Sequence, residues 1–259
     1  MSVYFLEYRI IKNRTGLLGD VASLLGLLDI NILKIASIEG DLRGFLIEII
    51  NKNQKKIIMD SLKSVENIEL CSIRKPALND FLAMKHGKKI ISRKTDIYEN
   101  KNYYRFQKTD LDLLIDFLSA HLKTKDSCFI GLIGEPRVGK TETAISASVH
   151  ANKHWQLLST TLLRKITRTR ISDDYLNKKF VFIIDALTTF HRSRADHIKF
   201  IKEILEKKLL IIIEHPDVLV RESKYSWLDF DFLIEIINPD QKSNDKNRYL
   251  HNYSSFDIS

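Results

Sequence analysis

At 259 residues with 44% hydrophobic side chains, the chain is long enough for two modest domains or one large one, and global disorder is excluded. Lys and Arg number 41 against 33 Asp and Glu, a mild basic excess that suits nucleotides, nucleic acid or acidic headgroups but also an ordinary surface. Two distant cysteines in apolar runs, Cys71 and Cys128, read as reduced core thiols and argue against a disulfide framework or a zinc site.

In chain order, residues 3–11 are rich in aromatic and branched side chains and read as a strand. Leu17, Leu18, Val21, Leu24, Leu25 and Leu28 recur at helical spacing over 15–28. Ile30, Ile32, Lys34, Ala36 and Ile38 alternate, predicting a second strand with those residues on one face. Gly40-Asp41 signals a turn, 42–50 a third strand, 54–65 a second helix and 68–73 a closing strand. The order βαββαβ is that of a ferredoxin-like unit.

With Gly16-Leu17-Leu18-Gly19-Asp20 entering the first helix and Ile30-Asn31-Ile32 entering the second strand, residues 3–73 resemble the ACT domain family. The resemblance implies a regulatory module that pairs through its sheets and binds an amino acid or similar small ligand. Its ligand loop would be Asn13, Arg14, Thr15, Gly16, Leu17 and Leu18, where helix N-terminal amides could take a carboxylate. Asn13 stands where Asp is usual in that family and Thr15 where Pro is usual, so a dimerisation module without a ligand stays open.

Pro76 marks the exit from this unit, and residues 76–126 read as a basic linker followed by a helix. Lys85, Lys88, Lys89, Arg93 and Lys94 cluster there, followed by Tyr98, Tyr103, Tyr104 and Phe106, a mixture of cations and stacking surfaces. Thr109-Asp110-Leu111-Asp112 resembles a helix start, with Leu111, Leu114, Ile115, Leu118 and Leu122 along one face.

From Ser127 onward, short apolar strands alternate with helices, predicting an α/β domain over 127–259 with a mostly parallel sheet. Strands are expected at 128–133, 155–158, 180–184, 209–213 and 230–237, with a polar stretch after Asn238. Between the first strand and its helix lies Gly134-Glu135-Pro136-Arg137-Val138-Gly139-Lys140-Thr141, which fits the eight-position Walker A pattern in full. The glycines let the backbone turn its N–H groups inward, and these amides with the helix N-terminus present positive potential to phosphate. Lys140 is expected to reach the β- and γ-phosphates of a nucleoside triphosphate, Thr141 to coordinate Mg2+, and Glu142 to follow in the first helical turn.

Asp185 ends the apolar run Val181-Phe182-Ile183-Ile184, the arrangement of a Walker B carboxylate that binds Mg2+ or orients Thr141; a helix-capping Asp is the alternative. Ala186 stands where many ATPases carry a water-activating Glu, which suits slow turnover. Glu214 ends the strand at 209–213 and could serve as base or γ-phosphate sensor, or simply begin a loop. No Asn-Lys-x-Asp guanine motif follows the later strands, which favours ATP over GTP. Arg164, Lys165, Arg168 and Arg170, and also Arg192 and Arg194, could supply a charge-stabilising finger or a solvated face.

An ACT-like domain joined to a P-loop domain resembles an uncharacterised bacterial protein family with this layout. The expected function is an ATP-binding regulatory protein, a slow ATPase switch controlled by a small ligand or by self-association as a homodimer. A small-molecule kinase and a nucleic-acid-associated ATPase are the alternatives. No apolar run approaches the ~18 residues needed to span a bilayer, and no signal-peptide pattern opens the chain, so a soluble, cytoplasmic protein is expected.

Overall fold

The computed structural model of the protein describes residues 2–158, 176–192 and 195–239. It is a mixed α/β structure with a four-stranded antiparallel sheet and a seven-stranded, mostly parallel one. The basic residues at 164, 165, 168, 170 and 194 and the polar stretch from 240 onward lie outside the described residues.

The smaller sheet holds β1 (Ser2–Ile10), β2 (Asn31–Ile38), β3 (Leu42–Ile49) and β4 (Ile68–Arg74) in the order β2-β3-β1-β4. Helices α1 (Leu17–Leu27) and α2 (Lys52–Lys63) follow β1 and β3, giving the βαββαβ order expected from the periodicities. Strand alternation divides β1 between two cores. Leu6 and Tyr8 pack with Val21, Leu25, Ile58 and Leu62 from the helices. Phe5 packs on the other face with Ile38 and Leu46.

That second face is covered by α3 (Leu78–His86), a helix the sequence reading missed. Its Ala83 and Met84 close over Phe5, while its neighbour Leu82 belongs to the core of the larger sheet. The helix therefore touches both sheets with consecutive residues and carries no single apolar stripe.

Two expectations for the small sheet are corrected. The alternation of β2 breaks at a register shift between Ile32 and Lys34, which leaves Lys34 exposed instead of sharing a face with Ile32. Cys71 is exposed, not a core thiol, because Tyr8 pairs with Leu70 and Glu7 with Ser72, making Cys71 the extra residue of a bulge. Cys128 is buried as expected.

The larger sheet runs β5-β6-β11-β7-β10-β9-β8. Its strands are β5 (Ser92–Arg93), β6 (Tyr103–Gln107), β7 (Cys128–Gly134), β8 (His154–Leu158), β9 (Phe180–Asp185), β10 (Leu210–Glu214) and β11 (Phe232–Ile237). All neighbours pair in parallel except the short edge strand β5. Both faces are covered, as the unbroken apolar runs require. On one face α4 (Leu111–Thr124) and α5 (Lys140–His150) bring Leu114, Phe117, Leu118, Ala144 and Ala147. On the other, α7 (Ala195–Glu206) and α8 (Pro216–Glu222) bring Ile201, Ile204, Val218 and Leu219; α6 (Ala186–Arg192) follows β9 directly.

The segment 76–126 thus supplies α3, β5, β6 and α4, and two of its elements are strands of the large sheet. Tyr98, Tyr103 and Phe106 are buried, and Tyr104 packs edgewise on Phe232, so these rings are core and not a stacking surface. Of the nearby cations, Lys85 pairs with Asp116 at 2.5 Å, Lys88 with Asp110 at 2.6 Å, and Lys89 with the buried Glu7. On α4, Leu114, Leu118 and Leu122 are buried as the spacing predicts, together with Leu113 and Phe117, whereas Leu111 and Ile115 are half-buried.

Candidate functional site

Parallel strands place their carboxyl ends on one edge, where open α/β sheets bind ligands. Three central strands meet there. In register, Glu214 of β10 lies opposite Leu132 of β7 on one side and Asp185 of β9 on the other. The strand carrying Glu214 therefore sits between the loop that follows β7 and the strand that ends in Asp185.

The loop from Gly134 to Gly139 owes its shape to its glycines. A Cβ on Gly134 would lie 2.6 Å from the Ile236 carbonyl oxygen of β11, so only glycine lets β7 leave the sheet there. Gly139 adopts φ +96°, a left-handed conformation that caps α5. Arg137 also has positive φ, at 64°, and lies exposed with Pro136 at the tip. Val138 points inward and is buried, anchoring the loop to the core. Glu135 is half-buried, with the Asn238 side-chain amide donating to its carboxylate at 3.5 Å.

Lys140 opens α5 and is only 6% exposed. Its ammonium donates to the carbonyl oxygens of Gly134 and Glu135, both at 2.8 Å, so the side chain folds back across the loop. Burial lowers its pKa, and the negative charges of Glu214, Asp185, Asp217 and Glu135 oppose that shift. Thr141 is half-buried beside it, and Glu142 is exposed with a carboxylate oxygen close to Gly139.

Glu214 is 5% exposed, and its Oε1 has no hydrogen-bond partner among the described residues. Burial pushes its carboxyl above the usual range, a hydrogen bond with Thr141 pulls it back, and Asp185 nearby pushes it up again. Asp185 is half-buried and held at both oxygens by one residue: the Thr188 amide donates to Oδ1 at 3.2 Å and the Thr188 hydroxyl donates to Oδ2. It thus caps the start of α6, the helix-capping reading of this carboxylate, while ending its strand beside Glu214.

Lys140, Thr141, Asp185 and Glu214 are therefore brought together, with the loop 134–139 beside them. The first-loop residues of the small sheet lie elsewhere. Asn13, Arg14, Thr15, Gly16 and Leu18 are exposed and Leu17 is buried as the anchor. Gly16 caps α1 at φ +84°, and Arg14 is paired with Asp20.

Three site residues were not assigned from sequence. Thr188 fixes Asp185 and was legible only as a hydroxyl three positions past a strand-end acid. His215 follows Glu214 in a left-handed conformation at φ 56°, and burial with Lys140 nearby lowers its pKa. Asp217, in the first turn of α8, adds a negative charge near both Lys140 and His215. The sequence His215-Pro216-Asp217 is a helix-start signal and carries no chemical signature of its own.

Among the described residues, no cluster of three or more His, Cys, Asp or Glu side chains is arranged to hold a metal ion. A hydroxyl, one or two carboxylates and phosphate oxygens are the donor set that Mg2+ takes, and the residues at this edge fit it. No helix among the described residues is long and apolar enough to cross a membrane.

The family described as "Protein of unknown function (DUF3388)" matches residues 70–256. The chain is 38% identical over 239 residues to "Uncharacterized protein YmfK" of Bacillus subtilis (strain 168), covering 92% of this chain and 87% of that one. Among solved structures, a phospho-2-dehydro-3-deoxyheptonate aldolase (DAHP synthase) from Thermotoga maritima aligns over 91% of this chain and 88% of its own. It does so at a TM-score of 0.22 and 11% identity, a likeness too low to bear on fold or activity.

Proposed function

The chain belongs to the DUF3388 family, and from the geometry of its strand-end site we propose that it binds the phosphates of Mg-ATP and hydrolyses ATP slowly as a regulatory switch. The observation that carries the reading is the buried ammonium of Lys140, folded across a glycine-bounded loop and faced by Glu214 and Asp185 from the adjoining strand ends. A triphosphate would draw that ammonium away from two backbone carbonyls toward stronger, ionised acceptors. Thr141 and Asp185 would hold Mg2+, which would supply positive charge against the phosphates. Glu214, whose carboxyl burial pushes above the usual range, would in its ionised form accept a proton from the attacking water, or in its protonated form report on the terminal phosphate.

The small sheet supports the regulatory half of the proposal. Its βαββαβ order and β2-β3-β1-β4 pairing are ferredoxin-like, which is compatible with an ACT-like unit, and its exposed 13–16 loop precedes a helix N-terminus. Of the rings that suggested a nucleic-acid partner, Tyr98, Tyr103 and Phe106 are buried and Tyr104 packs on Phe232, so they do not favour that alternative.

Titration calorimetry of purified protein with ATP and Mg2+ tests the reading. Lys140→Ala should weaken binding by about a hundredfold, the loss of a desolvated charge-assisted contact. A folded Lys140→Ala protein that binds Mg-ATP as tightly as wild type would overturn the proposal.

A further inference from the structure

The phosphate loop has a neighbour on the same sheet edge. A cleft of about 210 Å3 opens at the ends of β6 and β11, floored by Phe106, Gln107, Ile237 and the start of α4 at Asp110 and Leu113. Residues 88–91 form its opposite wall. It is smaller than the ~300–1,000 Å3 of pockets that enclose drug-sized ligands, so it suits a flat, compact group rather than a whole nucleotide.

Three contacts tie this cleft to the loop. Lys108, directly after Gln107, donates to the Arg137 carbonyl at 3.3 Å. Asn238, directly after Ile237, donates to Glu135 at 3.5 Å. Leu111, directly after Asp110, packs so close to Gly139 that a Cβ there would meet it at 3.3 Å. Each stretch that floors the cleft therefore also has a residue on the phosphate loop.

We infer that this cleft takes the base of the nucleotide whose phosphates lie in the loop, with Gln107 reading its edge and Phe106, Leu113 and Ile237 supplying the apolar floor. The inference rests on the phosphate-binding reading above. An amide side chain that both donates and accepts pairs with the N7 and N6–H2 of adenine, which selects a purine and adenine in particular. Gln107 is exposed at the strand end and, among the described residues, accepts a long 3.4 Å hydrogen bond from Thr109, so it can turn to meet a ligand. The sheet edge alone would fix the phosphates, and the cleft would fix which nucleotide they belong to.

The test compares Mg-ATP, Mg-GTP and Mg-tripolyphosphate, which has the phosphates without the nucleoside. Each is titrated into wild type, Gln107→Ala, Ile91→Trp and Lys140→Ala. Ile91 is 60% exposed on the cleft wall, so tryptophan there fills the cleft without entering the core. In wild type, ATP should bind at least tenfold tighter than tripolyphosphate and tighter than GTP. Gln107→Ala should lose the preference for ATP over GTP. Ile91→Trp should bring ATP to the affinity of tripolyphosphate while leaving tripolyphosphate itself unchanged. If ATP and tripolyphosphate bind wild type alike, or Ile91→Trp leaves ATP affinity intact while Lys140→Ala abolishes both, the cleft is not the base site and the phosphate reading stands. If Lys140→Ala changes neither affinity, the phosphate reading fails and this inference falls with it.

Discussion

Glu214 is a carboxyl buried at the end of β10 with one oxygen unpartnered among the described residues, and its folded pKa is raised. Such a group holds its proton more tightly folded than unfolded. Its contribution to stability is complete below the unfolded value near ~4.3 and is lost as pH rises through the folded one. Glu214→Gln keeps the shape and removes the ionisation. Its melting temperature should match wild type near pH 4 and exceed it by about 2–4 °C at pH 7. Thermal unfolding at both pH values checks this, and a variant less stable than wild type at pH 7 would refute it. The loop around Lys140 was legible because its geometry is local: eight consecutive residues set both the turn and the place of the ammonium. The grip of Thr188 on Asp185 was not, since a hydroxyl three positions after an acid occurs in many helix starts without consequence.

At the scale of elements, β6 and β11 are joined by more than their ladder. Glu235 is 4% exposed and takes the Arg105 Nε at 2.6 Å across the two strands. Glu235→Ala would strip a partner from a mostly buried guanidinium. It should cost about 3 kcal/mol, the lower end for breaking a buried pair because Arg105 retains some access to water. Urea unfolding measures it, and a loss below about 1 kcal/mol would mean the pair is solvent-screened. The free edge of the small sheet offers a second test. β2 exposes Leu33 and Ile35 at 48% and 39% on a strand with one side unpaired among the described residues, a template for another copy of the unit. Leu33→Lys with Ile35→Lys is expected to convert a dimer to a monomer in sedimentation; a wild type that is already monomeric removes this edge as an interface. β11 was readable as an apolar run of the length of a strand. β6 was not, because Tyr103-Tyr104-Arg105-Phe106 mixes a cation into rings and finds its partner only far along the chain. Likewise α3 buries Asp80, Leu82, Ala83 and Met84 against two different sheets, so its residues show no helical period.

At the scale of the whole molecule, α3 is the shared element. Met84 and Ala83 complete the core of the small sheet, Leu82 joins that of the large one, and Gly87 accepts a hydrogen bond from the Glu39 amide at 2.7 Å. Met84→Ala is expected to cost about 2–5 kcal/mol as a large-to-small core change. Because the helix belongs to both units, amide hydrogen exchange should speed up together in β1 and in α4, not in β1 alone. Exchange confined to the small sheet would show that the two units open independently. A composition-based division of the chain could not find this coupling, since the basic residues at 85–89 look solvated until their carboxylate partners in β1 and α4 are in place.

The pairing of β6 with β11 also sets an order in time. Arg105 and Glu235 are neighbours in space but 130 residues apart in the chain. As the polypeptide leaves the ribosome N-terminus first, β6 and the helix after it emerge long before the strand that separates them from β7 exists. Until β11 arrives, β6 has only the two-residue β5 to pair with among the described residues, and the core under α4 lacks Phe232, Ile234 and Ile236. The nascent protein therefore carries that strand edge open while the 130 residues between Arg105 and Glu235 are made. Seating β11 between β6 and β7 must then close this very long loop, a non-local pairing of the kind that forms slowly.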